Sequence, residues 1–178
     1  MNTPPELIDG VRIRLRRATP DDAPAMFLAA ASPDVMKYME WAMQSSDSET
    51  LSHLEGAAQR WVDGTEYQWI IEELSSGNFV GTMSCRPKAH AADFGYFLAK
   101  SYWGKGFALE SATLVVNWLK AQPEILRIWA TSDALNIRSH RVLERLGLQR
   151  EGLLRMATYR PNIGGLPRDT VIFAWCKS

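Results

Sequence analysis

The sequence lacks net charge, since 20 Lys and Arg residues balance 20 Asp and Glu residues in a chain of 178. It also lacks a long hydrophobic run, and a helix that spans a bilayer needs about 20 consecutive apolar residues. Its first ten residues, MNTPPELIDG, do not contain the apolar core of a signal peptide. The chain has no bulk attraction to nucleic acid or anionic lipid, so we expect a cytoplasmic protein without either partner.

Cysteine and histidine are scarce, which limits redox and metal chemistry. Cys85 and Cys176 each lie in an apolar, strand-like segment, and this predicts two buried free thiols rather than a disulfide. His53, His90 and His140 share no spacing that is typical of metal ligands, and no metal is predicted.

The chain does contain enough apolar sequence, 46% of its residues, for one hydrophobic core. Strands are predicted at 11–17, 67–74, 78–85, 92–99, 125–132, 150–159 and 169–176, and helices at 19–31, 32–41, 45–64, 107–120 and 136–147. This order predicts one α/β (α+β) domain over residues 1–178, with a mostly antiparallel central sheet of about seven strands and four or five helices. The arginines that alternate along the first strand are predicted to form a solvated face.

The stretch from Ser101 to Ser111, SYWGKGFALES, places a Gly-Lys-Gly turn directly before a predicted helix. A phosphate-binding P-loop is excluded because Gly106, and not Ser or Thr, follows Lys105. A dinucleotide fingerprint is excluded because Leu109 occupies the place of its third glycine. Two interpretations stay open. The turn is either purely structural, or its backbone N–H groups and the helix N-terminus bind a phosphate group.

Two motifs together resemble the GNAT superfamily of acetyl-CoA-dependent N-acetyltransferases. The first is GYFLAKSYWGKGFALES, and the second, which follows it closely, is RIWATSDALNIRSHRVLERLGLQREGLLR. Within the superfamily the chain is similar to the RimJ/RimL-type branch, whose best-known members acetylate the N-terminal amines of ribosomal proteins. The resemblance covers nearly the whole chain. It implies a GNAT-like fold, in which splayed strands form the cleft for acetyl-CoA, the co-substrate.

The resemblance assigns the Gly-Lys-Gly turn to the pyrophosphate of coenzyme A. The implied donors are backbone amides of Trp103, Gly104, Lys105, Gly106, Phe107 and Ala108. The backbone of the preceding strand is implied to bind the acetyl and pantetheine groups at Tyr96, Phe97 and Leu98. One position departs from the family pattern, because Ser101 stands where a longer Gln or Arg is usual.

Asp93 is the candidate general base, and it is also expected to contact the acceptor. Many relatives carry Glu at the matching place, where it takes the proton of the amine, often through water. The shorter aspartate makes a bridging water more necessary. Period-two alternation puts Asp93 and Phe97 on the opposite face of the strand from Phe94 and Tyr96.

Ser139 is the second catalytic candidate, and with Asn136 it is expected to contact the cofactor. The spacing of Ser139, Val142, Leu143 and Leu146 places the serine on the buried stripe of a helix that Asn136 caps. From there its hydroxyl could reach the thioester sulfur or the pantetheine arm. Leu143 occupies the position where many superfamily members have a tyrosine general acid, so no tyrosine acid is carried over.

The resemblance also places an acceptor groove. Tyr38 and Trp41 are expected to line it from the end of a short helix. Glu110 is expected to stabilise a helix dipole, and Glu151 is a further acid that could lie near the site. A peptide N-terminus, a polyamine, an amino acid and an antibiotic amine all stay open as acceptors, and a homodimer through the terminal strands is a family-based expectation.

A different class of function also stays open, namely a coenzyme A-binding sensor or partner module without transferase activity. It is motivated by the departures from the family pattern at Ser101, Asp93 and Leu143.

Overall fold

The computed structural model describes residues 2–177. Its strands are β1 (Leu7–Asp9), β2 (Ile13–Arg17), β3 (Tyr67–Glu73), β4 (Phe79–Lys88), β5 (Ala91–Leu98), β6 (Arg127–Asp133), β7 (Gln149–Thr158) and β8 (Arg168–Cys176). Its helices are α1 (Ala23–Ala30), α2 (Pro33–Met36), α3 (Asp47–Val62), α4 (Phe107–Lys120) and α5 (Ile137–Arg145). Over the described residues, none of these helices combines the length and the apolar character that crossing a membrane requires.

One mixed sheet holds all the strands, in the order β1-β2-β3-β4-β5-β6-β8-β7. Every neighbouring pair is antiparallel except β5 and β6, which run parallel. The prediction of an α/β domain with a mostly antiparallel sheet is confirmed. The expected seven strands are one too few, because β1 has only three residues and is defined by its pairing with β2.

The sheet buries both of its faces, as the alternation of side chains along its strands allows. Helices α4 and α5 cover one face, where Phe94 and Leu98 of β5 belong to the larger core cluster. Helices α1 to α3 cover the other face, where Phe97 of β5 packs in a second cluster with Met26 and Leu54. The predicted division of β5 into two faces is confirmed, and each face looks toward a different layer of helices.

The helix predicted at 32–41 ends early, at Met36. The side-chain amide of Asn162, in the β7–β8 loop, donates to the carbonyl oxygens of Met36 at 2.7 Å and Trp41 at 2.9 Å. A contact with a segment far along the chain therefore shapes this region, and the local sequence could not predict it. Tyr38 and Trp41 lie in the connection after α2 and not at a helix end, which corrects the expectation for both.

Two predictions about individual side chains are wrong. Arg16 of β2 is not solvated, because it forms a bidentate ion pair with the buried Asp22, at 2.6 and 3.0 Å, and donates to Glu72 at 2.6 Å. Cys176 is exposed, since it ends the last strand, whereas Cys85 is a buried free thiol as predicted. The first error arises because strand alternation shows which residues share a face and not what packs against that face.

Candidate active site

A cleft opens at the parallel strand pair. Residues Ala91–Asp93 of β5 pair with Arg127–Trp129 of β6, and the pairing stops there. Beyond this point the two strands diverge, so residues 94–98 have no strand partner on the β6 side. An unpaired strand edge can bind an extended ligand through its backbone groups. The splayed strands expected from the sequence are therefore present.

The Gly-Lys-Gly turn lies at one end of the cleft, between β5 and α4. Gly104 and Gly106 adopt left-handed backbone angles, with φ of 75° and 86°. Within residues 2–177, the backbone N–H groups of residues 104–109 make no hydrogen bond to a protein acceptor. A Cβ built at Gly104 would meet no atom within 4 Å, so the surface over the turn is open. Unpaired donors, a helix N-terminus and an open surface suit a phosphate or pyrophosphate group.

Trp103 contributes to the cleft in a different way from the one expected. Its backbone N–H donates to the Lys100 carbonyl at 3.2 Å and is therefore not available to a ligand. Its indole N–H donates to the Leu98 carbonyl at 2.9 Å, which ties the turn to the end of β5. The Arg138 guanidinium of α5 lies 5.1 Å from the Trp103 ring. The tryptophan ring thus bridges elements on the two sides of the cleft.

The N-terminus of α5 approaches the cleft from the β6 side. Asn136 caps this helix by accepting the Ser139 N–H at 3.3 Å, so the predicted cap is confirmed. The Ser139 hydroxyl is partly buried and accepts a hydrogen bond from the Tyr96 hydroxyl of β5 at 3.5 Å. Burial raises the pKa of Tyr96, against the smaller opposite effect of this hydrogen bond, so the phenol stays a protonated donor at neutral pH.

Asp93 lies at the vertex of the cleft, where β5 and β6 last pair, and on the opposite face of β5 from Tyr96. Its carboxylate is ion-paired with Arg86 of β4, whose Nε donates to it at 2.9 Å and whose Nη2 also contacts it. Arg86 Nη1 donates to Glu66 at 3.0 Å. These ion pairs hold Asp93 in a fixed orientation. The two catalytic candidates, Asp93 and Ser139, do not touch; they flank the cleft from opposite faces of the sheet.

A buried charge cluster fixes the β7–β8 loop against the segment after α2. Asp133, at the end of β6, is fully buried and accepts hydrogen bonds from Arg168 at 2.6 and 3.1 Å. The side chain of Arg160 is 3% exposed and lies 3.9 Å from Asp133 and 3.1 Å from Glu40. Burial opposes ionisation of Asp133, but the Arg168 hydrogen bonds outweigh it and hold the pKa of Asp133 below its ordinary value. Trp41 lies on the same segment, 50% exposed.

The remaining candidates are separated from this arrangement or serve another role. Tyr38 is partly buried in the connection that carries Trp41. Glu151 pairs with Arg127 at 2.8 Å, on the exposed edge strand β7. Glu110 lies in the first turn of α4, as expected for dipole stabilisation, but it also binds the β1–β2 turn through Arg12. Over the described residues, no cluster of three or more His, Cys, Asp or Glu side chains could hold a metal ion.

Sequence reasoning missed the side chains that join distant elements at this site. It predicts a role for the backbone of Tyr96 and not for its hydroxyl, and it attaches no role to Arg12, Arg86 or Arg160. A single local signal existed for Arg86, which lies on the strand just before Asp93 and can meet it across a hairpin. The other contacts depend on strand order, which local patterns do not give.

Comparisons with known proteins agree with this geometry. Residues 12–149 match the family model described as an acetyltransferase (GNAT) domain. YoaA, an uncharacterized N-acetyltransferase of Bacillus subtilis, is 28% identical over 174 residues, which cover 96% of this chain and 97% of that protein. RimL, a ribosomal L7/L12 α-N-protein acetyltransferase solved with coenzyme A, has a TM-score of 0.86 at 22% identity, with 96% of this chain and 98% of that chain covered. MccE, the microcin C7 self-immunity acetyltransferase solved with acetyl-CoA and AMP, has a TM-score of 0.87 at 20% identity and 98% coverage of both chains.

Proposed function

We propose that this chain, which belongs to the GNAT family of acetyltransferases, transfers the acetyl group of acetyl-CoA directly to a primary amine, either the N-terminal α-amine of a protein or the amine of a small molecule. The observation that carries the proposal is the opening between β5 and β6, with a turn of unpaired N–H groups at one end. A cleft that passes between two strands gives access from both faces of the sheet. The co-substrate and the acceptor can then meet from opposite sides.

The residues along the cleft suit acetyl-CoA. The N–H groups of Gly104, Lys105, Gly106, Phe107 and Ala108 would hold the pyrophosphate, where the α4 dipole also favours negative charge. The unpaired edge at Tyr96, Phe97 and Leu98 would bind the amide groups of the pantetheine arm as a neighbouring strand does. Asn136 and Ser139 would border the arm from α5. The acetyl thioester supplies the activated acyl group, and the protein supplies orientation and proton management.

We assign Asp93 as the proton acceptor for the attacking amine, through a bridging water. An ammonium group cannot attack, and a free α-amine has an ordinary pKa of about 8. Asp93 lies at the vertex of the cleft, on the face opposite to Tyr96, and Arg86 fixes its orientation. A carboxylate in this place can take the proton as the amine approaches from the α1–α3 side.

We assign Ser139 to the negative charge that develops on sulfur as the carbon–sulfur bond breaks. The Tyr96 hydroxyl donates to Ser139 Oγ, which leaves the hydrogen of the serine free to point into the cleft. Hydrogen bonds in such a chain strengthen one another. A thiol has an ordinary pKa of about 8.5, so a thiolate can leave when a hydrogen bond supports it. The tyrosine acid that Leu143 replaces is then not required.

A protein N-terminal α-amine is the favoured acceptor. A Lys side chain has an ordinary pKa of about 10.4 and an α-amine about 8, so the α-amine loses its proton far more readily to a weak base such as Asp93. RimL, which shares the fold, is described as an α-N-protein acetyltransferase. The half-exposed ring of Trp41 offers an apolar contact to the first residues of a peptide. The AMP in the MccE complex keeps a small-molecule amine as the second candidate.

The first test combines thermal unfolding with acetyl transfer. Coenzyme A at about 100 times its Kd should add about 2.7 kcal/mol to the unfolding free energy, which raises Tm by roughly 5–11 °C for a domain of this size. Thiol release is then followed with peptides that have a free or a blocked N-terminus, each with an internal lysine, and with small amines. We expect turnover of the free peptides alone. A thermal shift without turnover of any amine would favour the inactive coenzyme A-binding module, and the absence of a shift would refute the cofactor site.

A matched glycine pair tests the cofactor turn itself. Gly104 and Gly147 have φ of 75° and 81°, and a Cβ built at either would meet no atom within 4 Å. Alanine should cost each about 1–2 kcal/mol of backbone strain. Only Gly104→Ala should also weaken coenzyme A binding in calorimetry, because Gly147 follows the far end of α5. Equal affinities in the two variants would contradict the assignment of the turn.

We further propose a cytoplasmic homodimer that pairs through β7. This strand is one edge of the sheet, and its Leu153, Leu154 and Met156 are 46%, 45% and 55% exposed. An apolar open edge favours pairing with a second copy. Light scattering during size-exclusion chromatography should give a dimer mass, and Leu154→Lys should give a monomer mass. A wild-type monomer at all concentrations would contradict this arrangement.

A further inference from the structure

Arg12 lies in the β1–β2 turn and contacts the start of α4. Its Nη1 donates to the carbonyl oxygen of Lys105 at 2.9 Å, inside the Gly-Lys-Gly turn. Its Nε donates to Glu110 Oε2 at 2.9 Å, and its Nη2 lies 2.8 Å from the same oxygen. Its guanidinium carbon lies 4.7 Å from the centroid of the Phe107 ring. One side chain therefore contacts three residues that shape the cofactor turn.

Glu110 is itself fixed by the β1–β2 turn. Its Oε1 accepts the backbone N–H groups of Val11 at 2.9 Å and Arg12 at 2.7 Å. Burial opposes ionisation of Glu110, but these hydrogen bonds and the guanidinium outweigh it and hold the pKa of Glu110 below its ordinary value. The carboxylate is therefore charged at neutral pH and occupied by the turn. We name the contacts of Arg12 with Glu110 and with the Lys105 carbonyl the Arg12 brace.

The bond to the Lys105 carbonyl fixes the direction of the next N–H group. In a trans peptide the C=O and the N–H point to opposite sides, and no cis peptide bond occurs in the described part of the chain. With the Lys105 oxygen held toward Arg12, the Gly106 N–H points away from it, and it makes no hydrogen bond to protein. Because Gly104 and Gly106 flank this peptide, it could rotate readily if nothing held it.

We propose that Arg12 is a positioning residue that holds the Lys105–Gly106 peptide so that the Gly106 N–H faces the pyrophosphate of coenzyme A. The proposal rests on the proposed function, since it deepens the assignment of the cofactor turn. The Arg12 side chain is 48% exposed, and an exposed ion pair adds little to folding stability. The main effect of the brace is therefore on binding, because a turn that is already ordered loses less entropy when the ligand binds.

The experiment compares Arg12→Ala, Arg12→Lys and the control Arg14→Ala. Arg14 is the next outward arginine, exposed and paired with Asp9 at 2.7 Å, and it has no contact with the cofactor turn. Lysine at position 12 can keep a charge beside Glu110, but it lacks the planar fork that contacts Glu110 and the Lys105 carbonyl together. The Kd of coenzyme A is measured by calorimetry. The kcat/KM is measured with acetyl-CoA and with S-acetylpantetheine, a truncated donor that has no pyrophosphate.

We expect both Arg12 variants to bind coenzyme A about tenfold more weakly, with Tm and the kcat at saturating acetyl-CoA close to wild type. The kcat/KM with S-acetylpantetheine should not change, and the Gly106 amide should exchange with solvent faster in the free protein. Arg14→Ala should match wild type in every measurement. Unchanged affinity in Arg12→Ala, an equal loss with both donors, or full rescue by Arg12→Lys would each overturn the proposal. Failure of the proposed function would differ from these results, because wild type itself would then not bind coenzyme A.

Discussion

Gly81 lies where β4 passes very close to the end of β5. A Cβ built on Gly81 would lie 2.8 Å from Leu98 Cα and closer still to the carbonyl oxygen of Phe97. Both are backbone atoms of the strand that borders the cofactor cleft, so rotation of a side chain cannot relieve the overlap. Gly81→Ala must therefore move β5 away from β4 by at least about 0.6 Å, to reach the range of ordinary contact that begins at 3.4 Å.

We expect this displacement to lower stability and to disturb the cleft. Overpacking costs about 1–3 kcal/mol, and a domain of this size loses roughly 2–4 °C in Tm for each kcal/mol. Gly81→Ala should then melt about 2–12 °C below wild type in a thermal scan. The Ala99 N–H donates to the Val80 carbonyl at 2.9 Å beside this contact, so its exchange with solvent should accelerate. The KM for acetyl-CoA should rise, because the displaced residues line its cleft.

Gly152 of β7 is the matched control. A Cβ built there meets only Ile172 Cγ2, at 4.0 Å. Gly152→Ala should leave Tm unchanged or raise it, since alanine stabilises by about 0.4–1 kcal/mol through the unfolded chain where no clash occurs. Equal melting temperatures for Gly81→Ala and Gly152→Ala would refute the argument that the backbone contact sets the cost.

Three further predictions concern polar residues of the site. Asp133→Ala would leave the buried Arg160 without its countercharge and should cost about 3–5 kcal/mol of unfolding free energy in urea titration. Because the pKa of Asp133 is lowered in the fold, the wild type should keep this contribution above the ordinary value of about 3.9 and lose it as the pH falls further, while the variant should respond less. Tyr96→Phe should lower kcat by about 2–10-fold with unchanged coenzyme A affinity, whereas Tyr67→Phe, elsewhere in the core, should change neither. Asp93→Asn keeps the shape and removes the base, so kcat/KM should fall by about 100-fold or more at neutral pH, and a loss below about tenfold would assign proton transfer to another group.

The cofactor turn could be predicted from the sequence because its parts are consecutive. The left-handed angles at Gly104 and Gly106 follow from the residue type, and the unpaired N–H groups follow from the helix that begins at Phe107. The cap formed by Asn136 and Ser139 is local for the same reason. These features need only the order of neighbouring residues.

The two faces of β5 were also predictable, because side chains alternate in any strand. What covers each face was not. Tyr96 meets Ser139 only because β5 lies beside β6 and α5 follows β6. Alternation gives the side on which a residue lies and does not name its partner.

The sequence by itself determined the elements, the turn that suits a pyrophosphate and the face on which each strand residue lies. The tertiary structure decided where the strands separate, how Arg12 reaches Lys105, and how Asn162 ends the helix before Trp41. The physical reason is range. Backbone angles, caps and alternation depend on residues within a turn or two, whereas hydrogen bonds between distant segments depend on the order in which strands assemble into one sheet.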